Sequence, residues 1–394
     1  ADSSPLGVRS DNVQMQLVVP TGIKIAKTVD PGVVEVNPAT VQTPRTLTWS
    51  VVFANIDSPS NISNVDVIDV LPANGLNGSA FEGSLRFDSA AAGSGITVLY
   101  TKAAPAGLAS APTDASNLAD GATVWCDAPS GGAVVSGSGT ASDCPQANGE
   151  VTGLRFQRPG AFAPEDSFKV DIAMTPIGNR SGDQYVNITE GKAEGVSQGV
   201  GPARRAASVI ASTVGDRVWN DKNNNGIQDD GEPGVENVPV TMTGTDVDGN
   251  LVNLTTWTAG DGTYAFTELA SGTYSVSFDI AGLTGFVFTD QGVGEDRAID
   301  SDADPATGKT AEFTLGKDST DLTIDAGVVQ RLGGLIIHKK LEGAGVVSIA
   351  AQDQLTFTVV CTLGEATVFE DTVTLAVDGQ TSVTSEELKP IPAT

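Results

Sequence analysis

Short runs of alternating apolar and polar residues recur along most of this chain. The run LTWSVVFANID places Leu47, Trp49, Val51 and Phe53 on one face of an extended segment, and VPVTMTG alternates in the same way. Gly, Pro, Asn or Asp ends nearly every run, and the chain contains 45 Gly and 20 Pro. Strands of this length, closed by turn residues, are typical of β-sandwiches. We therefore expect an all-β chain of tandem β-sandwich domains.

The patterned runs divide the 394 residues into four parts. Residues 1–20 contain one strand-like run, NVQMQLVV, and are interpreted as a leading strand or linker. Residues 21–212 form a first sandwich with an insertion, and residues 213–331 form a second. Residues 332–394 hold only three or four strand runs, too few to cover a core, and are interpreted as a truncated sandwich. Both ends are expected to be cuts through a longer multidomain protein.

The charge of the chain excludes two classes of partner. The net charge is −27, from 49 acidic and 22 basic residues. Such a surface repels nucleic acid and anionic membranes. No apolar stretch reaches the ~18 residues that a membrane span requires. We expect no nucleic-acid partner and no membrane insertion, and we interpret most of the acids as a solubilising surface.

Two of the three cysteines bracket a Gly/Ser-rich segment. Cys126 and Cys144 have no histidine or further cysteine near them in sequence to complete a zinc site. A disulfide that closes this loop is the preferred interpretation, and it implies an oxidising, extracellular compartment. Residues 103–150 are interpreted as long loops around it. Cys361 is left without a partner.

The segment DKNNNGIQDDGE places oxygen-bearing side chains at positions one, three, five, nine and twelve, with a glycine at position six. These are the ligand positions of an EF-hand loop, whose glutamate at position twelve can bind calcium through both oxygens. A plain polar turn is the alternative. The placement of Gly226 at position six and Glu232 at position twelve favours a Ca²⁺ site. The expected ligands are Asp221, Asn223, Asn225, Asp229 and Glu232, with the main-chain carbonyl of Ile227 at position seven.

The flanks of this segment do not predict the two helices of an EF-hand. Pro233 and Pro239 argue against a helix after the loop, and Val238, Val240 and Met242 alternate as in a strand. The loop is therefore expected to join two strands. Its calcium ion would stabilise the structure and would not act as a switch.

Three motifs surround the loop: GDRVWNDKNNNGIQDDGEPGVENVPV, DGTYAFTELASGTYSV and DSDADPATGKTAEFTL. With them, residues 213–330 resemble the calcium-binding B repeats of Sdr-type Gram-positive surface adhesins. The resemblance implies a transthyretin-like, or Cna B-type, sandwich that acts as a calcium-stiffened spacer between a ligand-binding head and the cell wall. It also implies further ligands at Asp300, Asp302 and Asp304, because alternating acids repel one another without a shared cation. A solvated acidic loop is the alternative.

The flanking parts resemble two other repeats of bacterial surface proteins. Residues 21–200, with Lys27 in the opening strand, TWSVVFAN and NVDVIDVLP, are similar to an Ig-like repeat. Residues 333–394 resemble the first part of a repeat in which a first-strand lysine precedes an FTVVC strand. In that repeat a second cysteine follows later, so the resemblance implies that the partner of Cys361 lies beyond Thr394.

The resemblance to Gram-positive sandwich domains implies one self-directed reaction, a lysine–asparagine crosslink assisted by a buried acid. A neutral, desolvated lysine is the nucleophile. Lys27 lies on the opening strand and Asn187 near the closing one. NVDVIDV offers Asp66 or Asp69, which point to opposite faces of a strand, so at most one faces the core. An exposed lysine and a turn-capping asparagine are the alternative.

The sequence favours a structural role over catalysis. His338 is the one histidine, and no serine or cysteine elbow motif or phosphate-binding glycine loop is present. We expect a calcium-stabilised stalk, adhesin or pilus-like segment at the extracellular bacterial surface, anchored to the cell wall in the full-length protein. Its partners would be neighbouring domains and an unidentified host or matrix protein or glycan. The alternatives are a ligand-binding head in the first domain and accessory modules of an extracellular hydrolase.

Overall fold

A computed structural model describes residues 22–37, 44–56 and 62–330, followed by six strand segments between residues 332 and 392. The chain divides into two compact units, Ala1–Ile210 and Ala211–Thr394. The NVQMQLVV run lies outside the described residues.

The first unit is built from two sheets. Their orders are β1-β3-β10-β5 and β2-β12-β11-β4-β9-β6-β7-β8. The strands are β1 Gly22–Asp30, β2 Val33–Glu35, β3 Leu47–Ile56, β4 Ile62–Val70, β5 Ser84–Ala92, β6 Thr97–Thr101, β7 Trp125–Cys126, β8 Val134–Ser136, β9 Gly153–Phe162, β10 Ser167–Ile177, β11 Gln184–Glu194 and β12 Val200–Ile210. Short 3-10 helices span Pro105–Gly107, Ala115–Asn117, Ala141–Asp143 and Asn148–Glu150.

The alternating pattern of β3 sets the core of this unit. Trp49, Val51 and Phe53 are fully buried, and the residues between them are only half-buried. The Phe53 ring contacts the rings of Phe162 and Phe168. Burial of large aromatic side chains from several strands stabilises the packing of the two sheets.

The insertion contains more regular structure than the loops predicted for residues 103–150. Cys126 on β7 pairs with Tyr100 on β6, and β8 pairs with β7, so both strands extend the larger sheet. Trp125 is fully buried. Strands of two and three residues are too short to show an alternating pattern, and the sequence therefore indicated only loops.

The second unit contains a two-sheet sandwich. One sheet has the order β16-β13-β21-β18, with β20 also paired to β13, and the other has the order β15-β14-β17-β19. Val218 and Phe266 of the first sheet share one core with Val240, Met242 and Val276 of the second. The strands are β13 Ser212–Asn220, β14 Pro239–Asp246, β15 Leu251–Trp257, β16 Thr263–Leu269, β17 Gly272–Phe278, β18 Phe286–Phe288, β19 Phe313–Leu315, β20 Thr320–Asp321 and β21 Ala326–Gln330.

The last strands of the chain form three antiparallel pairs: β22 with β27, β23 with β26, and β24 with β25. Cys361 on β24 lies opposite Phe369 on β25, and His338 lies on β23. The prediction of a separate third domain from residue 332 stays a prediction. The strands are β22 Leu332–Leu335, β23 His338–Lys340, β24 Gln354–Leu363, β25 Ala366–Ala376, β26 Ser382–Thr384 and β27 Leu388–Pro392.

The prediction of an all-β chain is confirmed. In the described part of the chain, no helix is long and apolar enough to cross a membrane.

Candidate functional site

The loop from Asp221 to Glu232 connects β13 to the segment that leads into β14, as its flanking residues predicted. Asp221 directly follows β13 and is fully buried. Its Oδ1 accepts the Asn225 N–H at 3.1 Å, and its Oδ2 accepts the Gly226 N–H at 2.8 Å and the Thr289 hydroxyl at 2.6 Å. The carboxylate at position one therefore holds the middle of the loop folded around it.

Gly226 makes the sharp turn at position six of the loop. Its φ is +78°, a conformation that L-residues with a Cβ adopt at a cost. A Cβ at this position would lie 2.6 Å from Val293 Cγ2 and 3.0 Å from the Asp290 carbonyl oxygen. Glycine is required here by both the backbone conformation and the lack of space.

The remaining side chains of the loop turn towards one another. Glu232 is buried, and its two oxygens accept the Lys222 N–H at 2.8 Å and the Asp229 N–H at 3.1 Å. The side-chain amides of Asn223 and Asn225 donate to Asp229 Oδ2 at 2.7 Å and 2.8 Å. The side chains of Asn223, Asn225 and Asp229 thus meet at the surface of the loop, while the buried Asp221 and Glu232 carboxylates bind its main chain.

The charges of this loop fit a bound cation. Among the described residues, no lysine or arginine side chain forms an ion pair with Asp221, Asp229 or Glu232. Burying carboxylates without a counter-charge is unfavourable. In the described part of the chain, no three Asp, Glu, His or Cys side chains alone converge as a metal site. A calcium ion here would also need the oxygens of Asn223 and Asn225, whose amide groups would have to rotate.

The three acids of DSDAD have different surroundings. Asp300 forms a β-bridge with Ile227 of the loop, and the Gln228 N–H donates to the Ile299 carbonyl oxygen at 2.7 Å. Asp300 is buried, its Oδ1 has no hydrogen-bond partner among the described residues, and burial raises its pKa. Asp304 instead accepts from the Thr307 N–H and hydroxyl within its own exposed turn.

Asp302 lies against Asp325, an acid that the sequence did not single out. The Asp302 N–H donates to the Asp325 carbonyl oxygen, and the Asp325 N–H donates to Asp302 Oδ2 at 3.0 Å. Burial raises the pKa of Asp302 to about 6, and burial together with neighbouring Asp216 raises the pKa of Asp325 to about 9. The structure groups Asp302 with Asp216 of β13 and with Asp325, which directly precedes β21, and not with Asp304.

A second candidate site lies in the core of the first unit. Lys27 is opposite Val51 in the β1–β3 pair, and Val51 is opposite Val170 in the β3–β10 pair. Lys27 is therefore the charged member of an otherwise apolar row. Its side chain is fully buried, and its Nζ donates to Asp69 Oδ2 from β4, a strand of the facing sheet.

The environment of this pair favours uncharged forms of both groups. Burial lowers the pKa of Lys27, although Asp69 opposes the shift, and burial raises the pKa of Asp69. Asp66, the other acid of NVDVIDV, points away from this site and forms an ion pair with Arg155. Of the two alternatives, Asp69 is the one that faces Lys27.

Asn187 completes the cluster from the neighbouring strand. On β11, Thr189 pairs with Asp69 of β4, so Asn187 lies on the same face, two residues away. Burial raises the pKa of Asp69, and the nearby Asn187 amide partly opposes this rise. Asn187 is fully buried, yet neither its Oδ1 nor its Nδ2 has a hydrogen-bond partner among the described residues. Buried amides are normally satisfied, so an unsatisfied amide near the buried Asp69 carboxyl requires an explanation.

A disulfide closes a loop within the insertion, and an arginine attaches the insertion to β9. Cys126 and Cys144 form a disulfide with their Cα atoms 5.7 Å apart. Arg155 on β9 forms two hydrogen bonds with Asp66, donates to the Asn117 carbonyl oxygen at 2.8 Å and lies over the Trp125 ring. The cysteine spacing had indicated the disulfide, but nothing in the sequence had indicated Arg155.

Comparison with known proteins matches the second unit to a family. Residues 212–328 match the SdrD B-like domain family. Over 114 residues the chain is 39% identical to serine-aspartate repeat-containing protein F of Staphylococcus epidermidis and 40% identical to serine-aspartate repeat-containing protein C of Staphylococcus aureus. Each match covers 29% of this chain, but only 6% of the first relative and 11% of the second.

Solved structures of pilins show a weaker likeness. BcpA, the major pilin subunit of Bacillus cereus, has a TM-score of 0.37 at 10% identity, covering 77% of this chain and 70% of that chain. The group B streptococcus pilus 2b backbone protein has a TM-score of 0.36 at 12% identity, covering 77% and 98%. These scores are too low to support a statement about function.

The resemblance that the sequence indicated for residues 213–330 is thus confirmed, while the two flanking repeats stay predictions. The stretch from residue 212 to residue 328 is an SdrD B-like domain.

Proposed function

We propose that this chain is a tension-bearing segment of a bacterial surface stalk, adhesin or pilus-like protein. An amide crosslink between Lys27 and Asn187 would stabilise the first unit, and a calcium ion would stabilise the second. The observation that carries the proposal is the fully buried cluster of Lys27, Asp69 and Asn187, in which the asparagine amide has no hydrogen-bond partner among the described residues. The disulfide between Cys126 and Cys144 supports a location outside the cytosol, because structural disulfides persist in oxidising compartments.

The crosslink follows from the chemistry of the three groups. The neutral amine of Lys27 attacks Cγ of Asn187 while the protonated Asp69 carboxyl polarises the amide oxygen. A bond forms between Lys27 Nζ and Asn187 Cγ, and the bond between Cγ and Nδ2 of Asn187 breaks. Asp69 passes the proton that leaves the lysine to the departing nitrogen, which is released as ammonia. Burial supports each role, because it lowers the pKa of Lys27 and raises the pKa of Asp69.

The position of this bond suits a stalk. Lys27 lies on β1 of the four-stranded sheet, and Asn187 lies on β11 of the eight-stranded sheet. The new amide would join the two sheets through the core. Separating the sheets would then require the breaking of a covalent bond. The reaction is self-directed and occurs once, so the chain is not proposed to be an enzyme.

Intact-mass measurement of the denatured chain tests the crosslink. We expect a mass lower than that of the sequence by one ammonia molecule, in addition to the two hydrogens lost in the disulfide. Proteolysis should yield a branched peptide that joins Lys27 to Asn187. Lys27→Arg, Asp69→Asn and Asn187→Ala should each restore the full mass. Asp66→Asn is the matched control, because Asp66 lies on the same strand but faces away, and it should keep the mass loss. A wild-type chain of full mass would contradict the proposal.

The calcium ion would be held by Asp221, Asn223, Asn225, Asp229, Glu232 and the Ile227 carbonyl. Bound calcium supplies a positive charge that neutralises the acids of the loop and fixes its oxygens. Two buried carboxylates without an ion pair in the described residues support this assignment. Asp300, which lies beside Ile227, is a further candidate ligand. Asp302 and Asp304 are retained as weaker candidates, since Asp302 pairs with Asp325 and Asp304 caps its own turn.

A further inference from the structure

One face of the second unit carries uncharged side chains along three adjacent strands. In the sheet order β15-β14-β17-β19, even-numbered residues such as Val240, Met242 and Val276 enter the core. The odd-numbered residues of β14, β15 and β17 therefore share the outer face. We call this surface the hydroxyl face. Its residues are Pro239, Thr241, Thr243, Thr245, Leu251, Asn253, Thr255, Trp257, Thr273, Ser275 and Ser277.

The hydroxyl groups of this face are arranged in cross-strand pairs. Thr241 Oγ1 and Thr255 Oγ1 are 3.1 Å apart, and Thr243 Oγ1 and Ser275 Oγ are 3.4 Å apart. In such a pair one hydroxyl donates and the other accepts. The Thr241–Thr255 pair is exposed, so its remaining O–H and lone pairs are open to solvent, whereas Ser275 is buried. Neighbouring strands are about 4.8 Å apart and alternate residues about 6.8 Å apart, so these groups form a regular array.

An exposed tryptophan borders the array. Trp257 is 60% exposed and Leu251 is 89% exposed, and both lie on the outer side of the edge strand β15. They are about 20 Å apart along the strand. The tryptophans at positions 49, 125 and 219 are fully buried in the cores. Trp257 is thus the tryptophan that presents its ring to solvent, beside hydroxyl groups.

The charge of the chain restricts the partner of this face. The net charge of −27 disfavours an acidic partner. A basic partner would find carboxylates on most other surfaces of the chain and none within the hydroxyl face. A second copy of the chain carries the same net negative charge, so the two copies would repel each other. The partner best matched to an uncharged array is itself uncharged and rich in hydroxyl groups.

We propose that the hydroxyl face binds an extended, neutral polysaccharide. The Trp257 ring offers a flat apolar surface for the C–H face of a sugar ring. The Thr255, Thr241 and Thr243 hydroxyls and the Asn253 amide can donate to and accept from sugar hydroxyls. A linear chain of sugars laid over the flat sheet would meet the same chemistry at successive positions. This activity is separate from the crosslink and from the calcium loop.

Affinity electrophoresis of the full chain tests this proposal. The native gels would contain hydroxyethyl cellulose, dextran or galactomannan as neutral polymers, and hyaluronan as an anionic one. We expect at least one neutral polymer to retard the wild-type chain and hyaluronan to leave its mobility unchanged. Trp257→Ala should weaken the retardation about tenfold or more, as expected for an aromatic anchor. Asn253→Asp, which adds a charge at nearly constant shape, should weaken it as well.

Leu322→Ala is the matched control, because Leu322 is an exposed apolar residue of the same unit outside the hydroxyl face, and it should bind as the wild type does. Thermal melting would verify that the variants fold, and sedimentation would report their association state. The proposal is overturned if no neutral polymer retards the wild type, if Trp257→Ala binds unchanged, or if only hyaluronan retards the chain. It is also overturned if sedimentation shows that the wild type forms dimers and that Trp257→Ala abolishes them, because Trp257 would then mediate self-association.

Discussion

At the scale of single residues, the chain buries ionisable and amide groups that ordinary folding would leave in water. Lys27, Asp69, Asp221, Asn187 and Asp325 are all inaccessible or nearly so. Burial of an ionised group costs several kcal/mol unless it is neutralised, paired or bound to a metal. The proposed crosslink would remove this cost in the first unit, because it converts the lysine and the asparagine into one neutral amide. In the second unit, we propose that a calcium ion and protonation remove this cost.

Replacement of Glu232 by Gln is expected to weaken calcium binding by the full chain. Glu232 would supply two of about seven ligand oxygens, and the amide removes both the charge and one acceptor. Isothermal titration calorimetry should show at least a tenfold loss of affinity. Asp230→Asn is the matched control, because Asp230 is an exposed acid at loop position ten whose side chain is not a predicted ligand. Equal losses of calcium affinity in both variants would show that net charge, and not ligation by Glu232, accounts for the effect.

Replacement of Asp325 by Asn should change the pH dependence of stability in the presence of a chelator. The pKa of Asp325 is raised to about 9, so the folded chain binds more protons than the unfolded chain between about pH 4 and about pH 9. The free energy of unfolding of the wild-type second unit should therefore fall as the pH rises through this window.

Asn cannot ionise, and the Asp325→Asn variant should lose less stability over the same range. The difference should be at least about 1.4 kcal/mol, the equivalent of one pKa unit. Urea unfolding at several pH values measures it. Parallel curves for the variant and the wild type would show that Asp325 is not the titrating group.

At the scale of elements, the insertion contains only the short strands β7 and β8 and depends on a disulfide and on contacts from β9. The disulfide joins residues separated by 18 positions. Closure of a loop of this length contributes roughly 3 kcal/mol in the chain-entropy model. Arg155 adds contacts from β9 to Asp66, Asn117 and Trp125. With few long strands of its own, the insertion relies on these links for its order.

Thiol counting on the denatured, unreduced chain should find one free thiol. Cys126 and Cys144 are bonded, and Cys361 is the third cysteine of the sequence. Labelling with a maleimide followed by mass spectrometry would place that thiol at Cys361. Three labelled cysteines would show that the disulfide does not form, and none in a monomer would show that Cys361 is blocked.

The strands and the loop could be predicted from the sequence, whereas the clusters between strands could be predicted only in part. Alternation over Leu47 to Phe53 predicts a strand because its period of two is local, and the spacing from Asp221 to Glu232 is local as well. The choice of Asp69 over Asp66 required the register of β1, β4 and β11. Asp216, Asp302 and Asp325 come from three separate segments of the chain. Contacts between such distant segments cannot be predicted from a local sequence pattern.

At the scale of the whole molecule, the two units are proposed to be stabilised by different chemistry. Calcium at one hundred times its dissociation constant should stabilise the second unit by about 2.7 kcal/mol. A covalent crosslink does not respond to calcium. The two units should therefore differ in their response to a chelator.

Scanning calorimetry of the full chain should show this difference. Addition of a chelator should lower the melting temperature of the second-unit transition and leave the first-unit transition unchanged. The Glu232→Gln variant should melt at nearly the same temperature with and without chelator. Limited proteolysis should likewise cut the second unit faster once calcium is removed. A second unit that melts identically in both conditions would reject a stabilising calcium ion.

The positions of Lys27 and Asn187 in the sequence have a topological consequence. The proposed amide would close a covalent ring through the 160 peptide bonds between them, since 187 − 27 = 160. The exposed Gly- and Ser-rich insertion lies wholly inside this ring. A single protease cut there would open the ring without releasing a fragment, even after reduction of the disulfide. A surface protein so built would tolerate scission at its most accessible loop and still remain one continuous molecule from end to end.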